Sequence, residues 1–215
     1  MTHEFTKRIL SSLILIPTVC FFIFAGSIFF NVFLILVFIL TSYEWYKLQK
    51  NNLFFILGLI FLLLSFFSAY LLRGSTLLGL IYFLMTLLIC ISTDIGGYSF
   101  GKIFKGPKLT KVSPNKTFSG VIGSYFLSYL FIFLFFKYLD NKFLNLIEIN
   151  FYSLLTITFL ISSISQLGDL TISFFKRKSQ IKDTSKLIPG HGGLLDRIDG
   201  VIFAIPFSYI LLKII

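Results

Sequence analysis

The chain has 215 residues, of which 56% are hydrophobic and only 13% are charged, and its mean hydropathy is +0.92. These values lie outside the range of soluble globular domains and predict an integral membrane protein. The net charge of +10 does not indicate nucleic acid, because the Lys and Arg residues lie in short segments between apolar runs. Anionic lipid head groups and phosphate substrates are the expected partners.

Seven apolar segments follow one another along the chain, and each is a candidate membrane span. They cover residues 9–25, 28–40, 53–72, 76–93, 120–139, 151–168 and 201–215. The first is expected to be retained as a span, because so many further apolar runs follow it. The sequence therefore predicts an all-α, polytopic helical bundle of about seven transmembrane helices, forming a single domain over residues 1–215.

The distribution of positive charge predicts the orientation of the chain, because Lys and Arg near span ends are retained in the cytoplasm. With a cytoplasmic N-terminus, all but four of the 19 Lys and Arg residues fall on the cytoplasmic side. The exceptions are Arg73, Lys137, Lys142 and Lys213. This topology places residues 94–119 and 169–200 in cytoplasmic loops and the C-terminus outside.

The first of these loops, residues 94–119, interleaves five lysines with glycines and ends in Ser113, Lys116 and Thr117 just before a span. Glycines let backbone N–H groups approach phosphate oxygens, lysines add positive charge, and a following helix N-terminus favours an anion. The pattern predicts a cradle for a polyphosphate. A loop that only orients the protein and touches anionic lipid is an equally good interpretation of the lysines.

The second loop, residues 169–200, contains the aspartates Asp169, Asp183, Asp196 and Asp199 among six basic residues. Carboxylates together with substrate phosphates are typical ligands of Mg²⁺, so the loop predicts a metal–nucleotide site. If Asp196 begins a helix that continues into the last span, Asp199 lies on the same face. The alternative is that Asp199 caps the last helix while Asp196 pairs with Arg197 or a lysine.

Asp94 and Asp169 are predicted to end their spans, where both the helix dipole and the nearby lipid disfavour a negative charge. A bound metal ion or a lysine partner would compensate. His191 lies in a glycine-rich turn shaped to wrap a ligand, although a single loop histidine is more often only solvated. Trp45, beside Glu44, is interpreted as an interfacial anchor.

The stretch from Ser173 to Asp199 resembles the signature of the phosphatidate cytidylyltransferases, the CDP-diacylglycerol synthases. The matching elements are Lys176 with Arg177, Lys182 with Asp183, the turn around His191, and the Asp196, Arg197 and Asp199 group. Residues 94–101 and 113–117 are similar to the same family, so the resemblance covers a little over a quarter of the chain.

The resemblance implies that CTP and phosphatidate react to give CDP-diacylglycerol and pyrophosphate at the cytoplasmic face of a bacterial inner membrane. It implies Mg²⁺, with room for a second cation, held by Asp169, Asp196, Asp199 and Asp94. CTP would be bound by residues that contact its phosphates, namely Ser113, Lys116, Thr117, Lys176 and Arg177. Catalytic roles fall to residues that hold phosphate or orient the site, namely Lys182, Asp183, His191 and Arg197. A homodimer is left open.

Two other functions are alternatives to cytidylyl transfer. A CTP-dependent lipid kinase would transfer the γ-phosphoryl group to a polyprenol-type alcohol. A small polytopic transporter would carry its ionisable residues near the membrane midplane on broken helices, whereas this sequence places them in the predicted loops.

Overall fold

The computed structural model describes residues 2–48, 52–110, 113, 116–139, 149–190 and 192–214. These residues form eight α-helices: α1 (Thr2–Ala25), α2 (Ser27–Leu48), α3 (Asn52–Arg73), α4 (Leu77–Phe104), α5 (Phe118–Tyr138), α6 (Phe151–Lys178), α7 (Leu195–Ile198) and α8 (Val201–Ile214).

Six of the helices, α1 to α6, are long and apolar enough to cross a membrane, and α8 is a shorter apolar helix. The predicted polytopic helical membrane architecture is therefore confirmed. Large apolar side chains cover the outside of the bundle, whereas its centre also buries hydroxyl groups. Thr86 and Ser208 are hydrogen-bonded at 2.7 Å between α4 and α8, and Thr93 donates to Ser162 at 2.8 Å between α4 and α6. Such contacts join helices that lipid alone would not drive together.

Two helices continue beyond the span ends predicted from sequence. α4 continues past residue 93 to Phe104, and α6 continues past residue 168 to Lys178. Asp94 and Asp169 therefore lie inside long helices rather than at helix ends, and residues 94–104 and 169–178 are not loops. At 1.5 Å per residue, each 28-residue helix is about 42 Å long, longer than the ~30 Å hydrocarbon core.

Glycines bring α4 and α5 into close backbone contact. A Cβ atom on Gly96 would lie 2.3 Å from the carbonyl oxygen of Gly123, and one on Gly120 would lie 2.7 Å from that of Gly97. Gly96 and Gly97 are in the interior of α4, where backbone N–H groups bond within the helix. These two glycines allow α4 to pack closely against α5.

Polar contacts define one end of the bundle, here called the site end. It carries the segment that precedes α5 and the segment that connects α6 with α7. Arg8 of α1 donates to the Gly190 carbonyl at 2.8 Å, and the Ser179 hydroxyl donates to the Leu48 carbonyl at 2.6 Å. The start of α1 and the ends of α2 and α6 thus meet there. At the opposite end, the far end, Arg73 of α3 donates to the Ile23 carbonyl of α1 at 3.1 Å.

Candidate active site

A cavity of about 380 Å³ opens at the site end between α4, α5, α6 and the segment that precedes α8. Ten of the thirteen predicted site residues line it: Asp94, Ser113, Lys116, Thr117, Asp169, Lys176, Asp183, Asp196, Arg197 and Asp199. Arg177 and Lys182 are exposed and do not line this cavity. His191 lies outside the described residues. The two segments singled out from sequence therefore meet at one place.

An ion pair joins the two segments directly. The Lys116 ammonium group, just before α5, lies 2.5 Å from a carboxylate oxygen of Asp169 on α6. Asp169 also accepts a hydrogen bond from the Ser173 hydroxyl at 3.2 Å. A lysine, one of the two compensating groups that the sequence left open for Asp169, is thus present beside it. Thr117 caps α5 by accepting from the Gly120 amide at 3.2 Å.

Asp199 is the most deeply buried of the cavity's carboxylates, with 8% of its surface exposed. Burial raises the pKa of Asp199 well above its usual value, the negative charges of Asp169 and Asp94 raise it further, and Lys176 opposes them. The Gly200 amide donates to it at 2.9 Å. Three carboxylates that repel one another in a shared cavity favour binding of a cation or a proton.

Asp196 is held in a different way, because protein donors occupy both of its oxygens. Lys176 donates to Oδ1 at 2.8 Å, while Oδ2 accepts from the backbone amides of Thr184 at 2.8 Å and Gly193 at 3.0 Å. Burial raises the pKa of Asp196, but Lys176 and these amides outweigh burial and leave the pKa below its usual value. Asp196 thus pairs with a lysine, as one of the two sequence interpretations expected.

The single helix expected through Asp196 and Asp199 is instead two helices. α7 ends at Ile198, and Asp199 with Gly200 separates it from α8. A Cβ atom on Gly200 would lie 2.4 Å from the Ser165 hydroxyl oxygen of α6. The chain can therefore break and turn close against α6 here, and both carboxylates still line the cavity.

The donor set suits a hard cation. Asp94, Asp169 and Asp199 all present carboxylate oxygens to the cavity, and such oxygens are the ligands that Mg²⁺ prefers. Within the described ranges, no three His, Cys, Asp or Glu side chains are gathered closely enough to form a complete metal site. Mg²⁺ commonly takes only one or two carboxylates and completes its shell with substrate phosphates and water. Asp94, Asp169 and Asp199 are therefore the residues that could hold such a cation.

Sequence analysis missed Glu44 of α2, which is fully buried. Its Oε1 accepts from the Ser185 hydroxyl at 2.6 Å and the Leu194 amide at 2.9 Å. Its Oε2 accepts from the Thr184 hydroxyl at 2.8 Å and the Leu195 amide at 2.7 Å. A single acidic residue within an apolar helix was the available signal, because an ionisable group in a span is costly without a partner.

The predicted role of Trp45 as an interfacial anchor is wrong. Its ring is buried, with 4% of its surface exposed, and its indole N–H donates to the Phe55 carbonyl at 3.2 Å. Gly58 makes room for the ring, because a Cβ atom there would lie 2.1 Å from it. Trp45 thus packs α2 against α3 directly beside Glu44.

Three curated relatives are similar to this chain, and each is named phosphatidate cytidylyltransferase. The Staphylococcus aureus (strain COL) protein is 42% identical over 135 residues, covering 62% of this chain and 50% of the relative. The Staphylococcus haemolyticus (strain JCSC1435) protein is 36% identical over 182 residues, covering 81% and 66%. The Haemophilus influenzae protein is 42% identical over 130 residues, covering 60% and 44%. The chain thus spans about half to two thirds of these relatives.

The sequence model of the cytidylyltransferase family matches residues 50–215. The match contains every residue predicted for the site and all of α3 to α8, and it leaves α1 and α2 outside. Because the match covers most of the chain, the protein belongs to the cytidylyltransferase family.

Proposed function

We propose that this protein transfers the cytidylyl group of CTP to phosphatidate, giving CDP-diacylglycerol and pyrophosphate. The observation that carries the proposal is the cavity in which Lys116, Lys176 and Arg197 converge with Asp94, Asp169 and Asp199. Membership of the cytidylyltransferase family and three relatives named phosphatidate cytidylyltransferase support it. The chain spans only part of those relatives, so the activity is assigned to it as a proposal.

The reaction needs little general-base catalysis. An oxygen of the phosphatidate phosphate attacks the α-phosphorus of CTP, the bond from that phosphorus to the bridging oxygen breaks, and pyrophosphate leaves with the electron pair. A phosphate monoester has a second pKa of about 6 and is largely dianionic at neutral pH. The protein's task is therefore to position two polyanions and to balance the charge that develops between them.

Basic groups of the cavity would neutralise the negative charge of the two substrates. Lys116 precedes α5, whose N-terminus also favours an anion, and it would exchange Asp169 for a phosphate when CTP binds. Lys176 and Arg197 line the same cavity from α6 and α7. Ser113 and Thr117 supply hydroxyl groups there. The roles of Arg177, Lys182, Asp183 and His191 stay predictions.

Mg²⁺ is proposed as the cofactor, with Asp94, Asp169 and Asp199 as the residues that would hold it. When bound, the ion would neutralise charge on the triphosphate and on the departing pyrophosphate. Asp196 was also predicted to bind the metal ion. It would do so only if the ion replaced one of the protein groups that donate hydrogen bonds to its carboxylate. In the conformation described, its hydrogen bonds from Lys176 and from the Thr184 and Gly193 amides favour a role in anchoring the segment before α7.

We place the cavity on the cytoplasmic face of a bacterial inner membrane. The lysine-rich segments lie at the site end, and positively charged segments are retained in the cytoplasm. The head group of a phospholipid lies at the membrane surface, within reach of a cavity that opens at the ends of spans. This location explains why an enzyme for a soluble nucleotide is built from membrane helices.

The test is to identify the product. The purified full chain is incubated with CTP labelled in its cytidine, phosphatidate and Mg²⁺, and the expected products are a labelled CDP-lipid and pyrophosphate. A polyprenol-type alcohol is added to a parallel reaction, in which a lipid kinase would give labelled CDP and a phosphorylated lipid alcohol, and that outcome would overturn the proposal. Excess chelator should stop the reaction, and undiminished turnover in its presence would remove the metal from the scheme.

A transporter would carry its ionisable residues near the membrane midplane. Asp94 and Asp169 lie inside α4 and α6, but in the parts of those helices that line the cavity at the site end. Their location and the match to the cytidylyltransferase family favour the enzyme over the transporter.

A further inference from the structure

Glu44, a carboxylate with no exposed surface, has no role in the proposed reaction. Removing an ionised carboxylate from water is costly unless hydrogen bonds satisfy it. Its four donors are two hydroxyl groups and two backbone amides, all uncharged. A group this costly to bury, with all of its bonds directed at one segment, restricts how that segment can move.

All four donors belong to the segment 184–190 and 192–195, here called the clamped segment, which leads into α7. The segment lies between two cavity-lining carboxylates, Asp183 and Asp196. The Thr184 hydroxyl oxygen is 2.8 Å from Glu44 and 3.1 Å from Asp196. Because a hydroxyl has one proton, it donates to one of them at a time, and the Thr184 amide secures Asp196 independently at 2.8 Å.

The fit around Glu44 leaves no spare room. A Cβ atom on Gly193 would lie 1.9 Å from the Thr184 hydroxyl oxygen and 2.8 Å from a Glu44 carboxylate oxygen. Any side chain at position 193 would therefore separate Glu44 from Thr184. The close approach of a backbone to a carboxylate is the reason that glycine stands there.

The first two helices contact the same stretch at further points. Arg8 donates to the Gly190 carbonyl at 2.8 Å, and the Ser11 hydroxyl lies 3.1 Å from the Pro189 carbonyl oxygen, both from α1. Glu44 adds four bonds from α2. The family match begins at residue 50, so these contacts come from the part of the chain that lies outside it.

We propose that Glu44 is a positioning residue, which holds the clamped segment so that Asp196 and Asp199 face the cavity. This inference rests on the proposed function for its effect on turnover, but the ordering of the segment can be measured without any substrate. It also assigns α1 and α2 a task beyond membrane anchoring, because they fix one wall of the site.

The test compares Glu44→Gln with Thr41→Val in the purified full chain. Glutamine keeps the size of the side chain but replaces one acceptor oxygen with an NH₂ group that faces the donors. Thr41 is equally buried and lies one turn earlier on α2, but its hydroxyl bonds only to the Val37 and Phe38 carbonyls of its own helix. The Thr41→Val substitution therefore removes a buried polar group from α2 without changing a contact to the clamped segment.

In Glu44→Gln, amide hydrogen exchange within the clamped segment should become about tenfold faster or more, with exchange in α4 and α5 unchanged. The kcat of the folded protein should fall by about 10–100-fold, the usual effect of losing a partner that orients active-site ligands. Thr41→Val should leave both quantities as in the unsubstituted protein. Glu44→Asp, which keeps both acceptor oxygens, should recover part of the lost rate.

Unchanged exchange in the clamped segment of Glu44→Gln would overturn the proposal. Equally faster exchange in every helix would also overturn it, because that result indicates general destabilisation. An Asp variant slower than the Gln variant would contradict the role of the two acceptor oxygens. If Glu44→Gln does not fold, Ser185→Ala removes a single donor and should accelerate exchange in the same segment, and no acceleration would overturn the proposal. Absence of cytidylyl transfer in the unsubstituted protein would refute the proposed function while leaving the exchange result to decide the clamp.

Discussion

Arg73 at the far end and Glu44 at the site end are both buried charged side chains, and the two have different partners. At the far end, Arg73 has 6% of its surface exposed and donates to the carbonyls of Ile23 at 3.1 Å and Gly74 at 2.9 Å. At the site end, Glu44 accepts four bonds from the clamped segment. Arg73 thus secures the connections between spans, whereas Glu44 secures a segment that lines the cavity.

A buried charge therefore supports the fold at the far end and the geometry of the site at the site end. Arg73 is also one of the four Lys and Arg residues that the predicted orientation does not place on the cytoplasmic side. Its bonds to carbonyls at the ends of α1 and α3 explain its place there, because such carbonyls have no partner within their own helices. Substitutions at the far end should change stability, and substitutions at the site end should change turnover.

The largest effect is expected for Asp199→Asn. The variant removes the buried carboxylate that would share a cation with Asp94 and Asp169, and turnover should fall by at least about 10²-fold, the scale of losing one charge-stabilising group. Thermal stability should not fall, because a buried neutral amide costs less than a carboxylate among like charges. Steady-state assays and thermal unfolding in detergent measure both. Near-normal turnover would contradict the role assigned to Asp199.

Gly193→Ala should come next, with turnover reduced by about 10–100-fold. The added methyl group cannot fit between Thr184 and Glu44, so the clamped segment must shift. Gly74→Ala is the matched control at the far end. There the new Cβ meets only the Leu71 carbonyl oxygen at 3.6 Å, but the backbone φ is +46°, so the control should lose stability and keep its kcat. Equal kcat values for the two variants would contradict the different roles assigned to the two ends.

Lys116→Gln should have a smaller effect, raising the KM for CTP by about tenfold, as expected for the loss of one charge-assisted contact to phosphate. Lys108→Gln, an exposed lysine of the same segment that does not line the cavity, should leave KM unchanged. KM is measured at saturating phosphatidate. If both variants raise KM equally, the lysine-rich segment acts only through its overall charge.

Arg73→Met should have the smallest effect on turnover, with kcat per folded molecule unchanged. The variant leaves the carbonyl of the buried Ile23 without this donor, and an unsatisfied buried acceptor costs about 1–3 kcal/mol. The midpoint of thermal unfolding should therefore fall. A variant that unfolds normally but turns over slowly would show that the far end also controls the site.

The sequence predicted most of the fold and most of the residues around the cavity, because apolar runs determine spans and the chemistry-bearing side chains are concentrated in two segments. It failed where one residue type serves two purposes. Glycines and aspartates after residues 93 and 168 were interpreted as loop signals, yet Gly96 and Gly97 pack α4 against α5. Glu44 was missed because hydropathy alone treats it as the end of a span, whereas its partners are about 140 residues away in sequence.

The glycine contacts between α4 and α5 have a mechanical consequence for the cavity. Where two backbones already touch, as at Gly96 and Gly123, the helices cannot move closer, and separating them would open a void that nothing fills. The wall formed by Asp94 and Thr117 therefore has a fixed shape. Adjustment to a larger or smaller ligand is therefore expected at the opposite wall, and variants with altered ligand preference are expected to map there.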